Sequence, residues 1–264
     1  MKKSDSHHFN HIVSPSPLAI FHRGPDLDRG PLPSFFYFAL SGEDSLNLNP
    51  FNQPVLLLDG EPVRIFSFTL PGHGEGFANK DGMGVWAKEM QGNSHLIEDF
   101  LEQCLGNIQF LIGAGYADSQ HMSVGGLSRG GFIATHVAAR DERVKTLLGF
   151  APLTELSGVK EFHDLDGEGH IEALDLVQLA PKLINKNIRF YIGNHDTRVG
   201  TDSCFKFIAT VAKEAYAAGV RPPQVELVIN PSVGYLGHGT LRYVFEDGVK
   251  WLLKQNITTG KVET

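Results

Sequence analysis

Cysteine is nearly absent from this chain: Cys104 and Cys204 are the two in 264 residues. A disulfide-built fold is thereby excluded. Each cysteine stands among apolar neighbours at helical spacing, so both read as reduced core residues. Long apolar runs are also missing; the longest are strand-sized, so no segment reads as a bilayer-spanning helix. The opening Met1-Lys2-Lys3-Ser4-Asp5-Ser6-His7-His8 has no apolar core after its lysines. No secretory signal is read there, and a cytoplasmic location is the expectation. Cationic excess is lacking too. The 23 Lys and Arg stand against 30 Asp and Glu, for a formal net charge of −7. That argues against a nucleic-acid partner and against an anionic membrane surface. No H-E-x-x-H spacing occurs, so zinc hydrolysis is not read and neither a metal nor a cofactor is called for. Internal repeats and low-complexity tracts are absent. A composition 42% hydrophobic and 20% charged fits one large α/β domain with a full core.

What is present is βα alternation with one informative turn. His121-Met122-Ser123-Val124-Gly125 reads as a strand, and Gly131-Phe132-Ile133-Ala134-Thr135-His136-Val137-Ala138-Ala139-Arg140 as a buried helix. Between them lies Gly126-Leu127-Ser128-Arg129-Gly130, a G-x-S-x-G sequence in the strand–turn–helix context of a nucleophile elbow. The flanking glycines let a serine occupy a strained turn without side chains striking the strand or the helix. The helix that follows points its positive end at any anion forming on that serine's substrate. Taken alone, the same residues also fit a glycine-rich βα turn whose serine caps a helix.

A serine nucleophile needs a base, and the base an orienting acid. Ile188-Arg189-Phe190-Tyr191-Ile192 reads as a strand ending in Gly193-Asn194-His195-Asp196-Thr197-Arg198-Val199-Gly200. A helix is expected from about 203 to 218. Gln224-Val225-Glu226-Leu227-Val228-Ile229 then alternates like a strand and leads to a loop holding Gly237-His238-Gly239. An amphipathic helix from about 240 to 255 closes the pattern. Ser128, Asp196 and His238 thus fall in loops after successive strands of one sheet and form the expected triad. Asp202, six residues past Asp196, reads as a helix cap. His195 is the competing base, but it adjoins Asp196, and neighbouring side chains on a loop seldom face each other.

These residues resemble the α/β-hydrolase fold, nearest to single-domain serine esterases related to dienelactone hydrolases and prolyl oligopeptidases. The resemblance rests on the elbow, on Asp196-Thr197-Arg198-Val199, on Gly237-His238-Gly239 and on Leu70-Pro71-Gly72-His73-Gly74. It spans about residues 35 to 255. It implies a mostly parallel central sheet flanked by helices on both faces, and an acyl-enzyme mechanism on a small carboxylic ester. Thioesterase, acyltransferase and small-peptide hydrolase chemistry stay open, as does a non-catalytic binding protein on the same fold. In this fold the oxyanion donors are the N–H after the nucleophile, here Arg129, and one from the loop after an early strand. Ser34 to Leu40 reads as that strand. Serine replaces the usual histidine in Ser41-Gly42-Glu43, which makes the Glu43 N–H the expected second donor. The alternative is that Gly42-Glu43-Asp44-Ser45 simply begins a helix or turn.

Domain organisation follows. Residues 1–17 are polar, carry two prolines and are expected to be loosely attached; 18–264 form the hydrolase domain. Residues 18–21 read as an edge strand, and 55–60 have no clear type. The stretch 154–187 exceeds a short βα connection and reads as a small cap, or as a long crossover helix. Inside it, Asp164 to Asp175 resembles an EF-hand loop. Aspartate stands where the bidentate glutamate should close such a loop, so a solvated acidic loop is favoured over calcium. His73 is expected to line the pocket or brace a turn, and His136 to be packed. Oligomeric state is not legible.

Overall fold

Phe35-Phe36-Tyr37-Phe38 and Arg64-Ile65-Phe66-Ser67-Phe68 are buried at every position, the mark of strands covered on both faces. The computed structural model describes residues 10–92 and 95–257. Among them, eight strands form one sheet: β1 Asn10–Ile12, β2 Ile20–Arg23, β3 Leu32–Phe38, β4 Arg64–Phe68, β5 Ala117–Leu127, β6 Val144–Phe150, β7 Asn187–Gly193 and β8 Val225–Asn230. Their spatial order is β1-β2-β4-β3-β5-β6-β7-β8. The two β1–β2 and β2–β4 pairings are antiparallel and the rest are parallel. The helices are α1 Gly42–Asn47, α2 Gln53–Leu57, α3 Gly82–Gly92, α4 Leu96–Gly113, α5 Arg129–Arg140, α6 Gly169–Glu172, α7 Ala180–Leu183, α8 Thr201–Ala217 and α9 Arg242–Ile257.

Strand parity sorts the core into two layers. Phe36, Phe38, Phe66, Phe68, Val124 and Leu147 face α3, α4, α5 and α8. Phe35, Tyr37, Ile65, Leu148, Phe150 and Tyr191 face α1, α2 and α9. Neighbours in sequence thus serve opposite layers, as the two-residue period of a strand requires. This is the α/β-hydrolase arrangement expected from the sequence.

Three expectations need correction. Residues 1–9, with His7 and His8, lie outside the described residues, but the rest of the supposedly loose 1–17 segment is tied down. Asn10–Ile12 pairs with β2, Ile12 is buried, and the Ser14 hydroxyl donates to Asn107 Oδ1 at 2.8 Å. Asn107 in turn donates to the Leu18 carbonyl at 2.8 Å. Consequently β2 is not an edge strand. The 55–60 stretch begins inside a short helix, α2, whose first turn contains Pro54, where the missing N–H costs nothing. The apolar periodicity of residues 94–113 predicts a helix there; Ser94 lies outside the described residues, and α4 covers Leu96–Gly113.

The 154–187 segment is not a crossover helix. It is a chain of short turns, including two 3₁₀ pieces (Lys160–Leu165 and Leu176–Leu179) with α6 and α7. Leu156, Phe162, Ile171, Leu174, Leu176 and Leu183 are buried beneath it. The acidic loop inside it does not gather its carboxylates. Asp175 turns inward and accepts the Leu156 N–H at 3.0 Å, and burial pushes its carboxyl up to about 6. His136 is fully buried. It meets the Leu174 carbonyl through Nε2 at 2.9 Å, which pins α5 to the end of that loop.

Candidate functional site

The elbow follows β5 directly, at the carboxyl end of the sheet. Ser128 holds φ 57° and ψ −121°, a conformation that is costly for any residue but glycine. Backbone hydrogen bonds keep it there. Its N–H donates to the Phe150 carbonyl at 2.9 Å, and its carbonyl accepts from Gly131 at 2.9 Å, Leu153 at 3.0 Å and Phe132 at 3.4 Å. The glycines are required by close approach. A Cβ on Gly130 would fall inside the Phe38 carbonyl, and one on Gly126 would strike the Gly130 backbone. The first helical residue, Arg129, follows the serine directly, and among the described residues no acceptor takes its N–H.

His238 and Asp196 arrive from two later loops. Nε2 of His238 lies 2.9 Å from Ser128 Oγ, and Nδ1 lies 2.7 Å from Asp196 Oδ2. The Asp196 side chain is fully buried. Its other oxygen accepts the N–H groups of Arg198 at 2.9 Å and Val199 at 3.1 Å. With Oδ1 taken by these two donors, Oδ2 is left to accept the Nδ1–H of His238. That fixes the histidine tautomer with Nε2 free to take the serine proton. Gly237, at φ 74°, is a glycine because a Cβ there would strike the His195 carbonyl, so the histidine loop lies flush on the aspartate loop. The Thr197 N–H donates to Leu236 O at 2.9 Å and locks the two loops together. His195 is exposed, and its backbone N–H goes to Ser232 Oγ; its ring takes no part in the relay. Asp202 is exposed on the first turn of α8.

Glu43, the expected second oxyanion donor, is not among the residues lining the cavity at Ser128. Ser41 caps α1 by accepting the Asp44 N–H at 3.0 Å, so Gly42-Glu43-Asp44 begins a helix. Glu43 is exposed and lines a separate open cleft with Asp44 and His73. The residue of that loop that reaches the Ser128 cavity is Ala39. Locally, Ser41 supplies a strong N-cap to α1.

The cavity at Ser128 has a volume of about 240 Å³. Its walls include Pro50 and Phe51 from the α1–α2 connection, and Thr240 and Phe245 from around the start of α9. None comes from 154–187; that segment instead lines the neighbouring cleft through Lys160 and Glu161. Sequence reading missed these wall residues, because nothing local marks a loop residue as facing a distant serine.

The side chain of Arg129 was also not anticipated. Its Nη1 donates to His73 Nε2 at 2.7 Å and to the Asn79 carbonyl at 3.3 Å. His73 Nδ1 lies 2.8 Å from Pro71 O, so the ring is neutral with its proton on Nδ1. Burial, then the neighbouring Arg129, lower His73 to about 4. Burial, then Arg198, lower Arg129 to about 10. Arg198 makes a two-pronged pair with Glu161 at 2.9 and 3.0 Å, which ties the aspartate loop to the 154–187 segment. Among the described residues, no three His, Cys, Asp or Glu side chains gather as metal ligands would, and no helix is long and apolar enough to cross a membrane.

The sheet order, the elbow and the three-loop site together define the α/β-hydrolase fold. Comparison with solved structures bears this out. The acylaminoacyl peptidase of Pyrococcus horikoshii superposes with a TM-score of 0.67 at 14% identity, over 94% of this chain and 41% of that one. Oligopeptidase B from Leishmania major gives 0.65 at 14%, over 96% and 37%. A 2,6-dihydroxy-pseudo-oxynicotine hydrolase gives 0.62 at 18%, over 97% and 69%. The chain thus spans about two fifths of the length of the peptidases it matches. No protein-family model and no curated protein sequence matches it.

Proposed function

We propose that this protein is a serine hydrolase that cleaves a small carboxylic ester through an acyl-enzyme. One observation carries the reading: an unbroken relay from Ser128 Oγ through His238 to the buried Asp196. His238 Nε2 takes the Ser128 proton as Oγ attacks the ester carbonyl. The oxyanion forms against the Arg129 N–H at the positive end of α5. His238 then protonates the leaving alcohol, and the C–O bond breaks. Water enters, gives its proton to His238, attacks the acyl-enzyme and releases the acid with Ser128 reprotonated. Asp196 holds the tautomer and stabilises the imidazolium. No cofactor enters the scheme.

The small cavity supports a short acyl group over a long one. A small-peptide substrate is the second reading, and its support is that several structural neighbours are peptidases. The test is labelling by a fluorophosphonate probe, followed by turnover of p-nitrophenyl esters of rising chain length against matched peptide anilides. Wild-type protein should label and prefer short esters, and folded Ser128→Ala should do neither. Labelling that persists in Ser128→Ala would remove the serine from the mechanism, and anilide turnover exceeding ester turnover would select the peptidase reading.

A further inference from the structure

The cleft beside the elbow is cationic in a protein that is acidic overall. About 770 Å³ in volume, it is lined by Lys80, Lys88, Arg129, Lys160 and Arg198, whereas the whole chain carries −7. Two carboxylates share the lining, Asp81 and Glu161. Glu161 is already occupied by its two-pronged pair with Arg198. Four cations are therefore left facing Asp81.

Arg129 is the informative one. Several other half-buried or buried cations among the described residues are well supplied with acceptors. Arg64 is ringed by the carbonyls of Pro25, Asp26, Gly30 and Tyr116. Arg140 has Glu98, Arg143 has Asp141, and Lys186 has two carbonyls. Arg129 has a neutral imidazole and one long carbonyl contact, and no carboxylate within ion-pair distance among the described residues. A cation withdrawn from water without a counter-charge is unfavourable, and a guanidinium keeps its charge. The same residue lines both the serine cavity and the cationic cleft. Tyr235 and Leu236, both exposed, add an apolar wall to the cleft.

We propose that this cleft receives a carboxylate carried by the substrate, with the Arg129 guanidinium as its main partner and Lys80 and Lys160 on the rim. The proposal rests on the ester-hydrolase reading of Ser128. The missing counter-charge of Arg129 then comes from the substrate, which seats the ester carbonyl one residue away, over Ser128. A carboxylate suits the planar, two-pronged donor face that arginine presents.

The test compares matched esters. On the acyl side, p-nitrophenyl hydrogen glutarate is set against p-nitrophenyl valerate; on the leaving-group side, 3-carboxy-4-nitrophenyl acetate is set against 4-nitrophenyl acetate. At least one charged ester should exceed its neutral partner in kcat/KM by about tenfold or more, the worth of one charge-assisted hydrogen bond. That ratio should approach one in Arg129→Gln, be partly kept in Arg129→Lys, and shrink in high salt. Because it is a ratio within one protein, a general loss of activity cancels. Should Arg129→Gln not fold, Lys160→Gln at an exposed position should still lower the ratio by about two- to threefold. Neutral esters turned over with no preference for either charged partner would overturn the carboxylate inference and leave the hydrolase reading standing. So would a preference unchanged in Arg129→Gln and Lys160→Gln. Absence of both turnover and probe labelling would sink the hydrolase reading, and this inference with it.

Discussion

On the proposed mechanism, replacing Asp196 by asparagine should cost Ser128 its base while leaving the fold. The Oδ1 of Asp196 accepts two backbone N–H groups, from Arg198 and Val199, and an asparagine Oδ1 accepts both equally. The change is concentrated at Oδ2, which accepts the hydrogen bond from His238 Nδ1–H at 2.7 Å. An amide NH₂ there is a donor. It forces Nδ1 to accept and sends the proton to Nε2, the atom 2.9 Å from Ser128 Oγ. An Nε2–H cannot take the serine proton, and the imidazolium loses its buried counter-charge. Together these should lower kcat by about four orders of magnitude near neutral pH. Global stability should change far less, by about 1 kcal/mol, since the loop keeps its two backbone hydrogen bonds. The control is Asp202→Asn. Asp202 is exposed in the first turn of α8, so its loss should cost about 0.3–1 kcal/mol of helix-dipole interaction and leave kcat intact. Ester turnover, with urea unfolding on the same preparations, reads both quantities. Full turnover in Asp196→Asn, with Asp202→Asn inactive, would refute the argument and move the acid by six residues.

Two further outcomes follow from the geometry. Ser128 sits at φ 57° and ψ −121°, so Ser128→Gly should raise unfolding stability by about 1–2 kcal/mol while abolishing turnover; a loss of stability in denaturant titration would mean the elbow stores no strain. Asp175 has its pKa raised from 3.8 to about 6 by burial, so the folded state binds the proton more tightly than the unfolded chain. Stability attributable to this group therefore falls as pH rises from about 4 to about 6, by about 2–3 kcal/mol in all. Asp175→Asn keeps an acceptor for the Leu156 N–H, so it should be more stable than wild type at pH 7.5, and that advantage should shrink to about 1 kcal/mol at pH 4.5. An advantage that is the same at both pH values would rule out buried charge as the cause.

The nature of the site was written locally, and its surroundings were not. Ser128, Asp196 and His238 were legible because each occupies a loop at the end of an apolar strand, and parallel strands bring such loops to one edge whatever the details of packing. The flanking glycines could be read for the same reason: close backbone approach leaves no room for a Cβ, and glycine is the residue that has none. Tertiary structure alone decided the rest. Ser41 stands where the family's histidine is usual, and its hydroxyl accepts the Asp44 N–H and caps α1, with Glu43 in the helix's first turn, a role that only the packed structure displays. Asn10–Ile12 looked loose because three residues carry no periodicity, and only an open edge on β2 gives them partners. The 154–187 segment had the length of a cap, but its leucines and Phe162 bury against the helices beside it, and Pro50 and Phe51 wall the serine instead. Arg129 is the clearest case: one position in a five-residue motif, its side chain acquires meaning only when His73, Asn79 and three lysines arrive around it from elsewhere in the chain. Which charges meet in a cleft depends on how separate elements pack in three dimensions, and no local pattern records that.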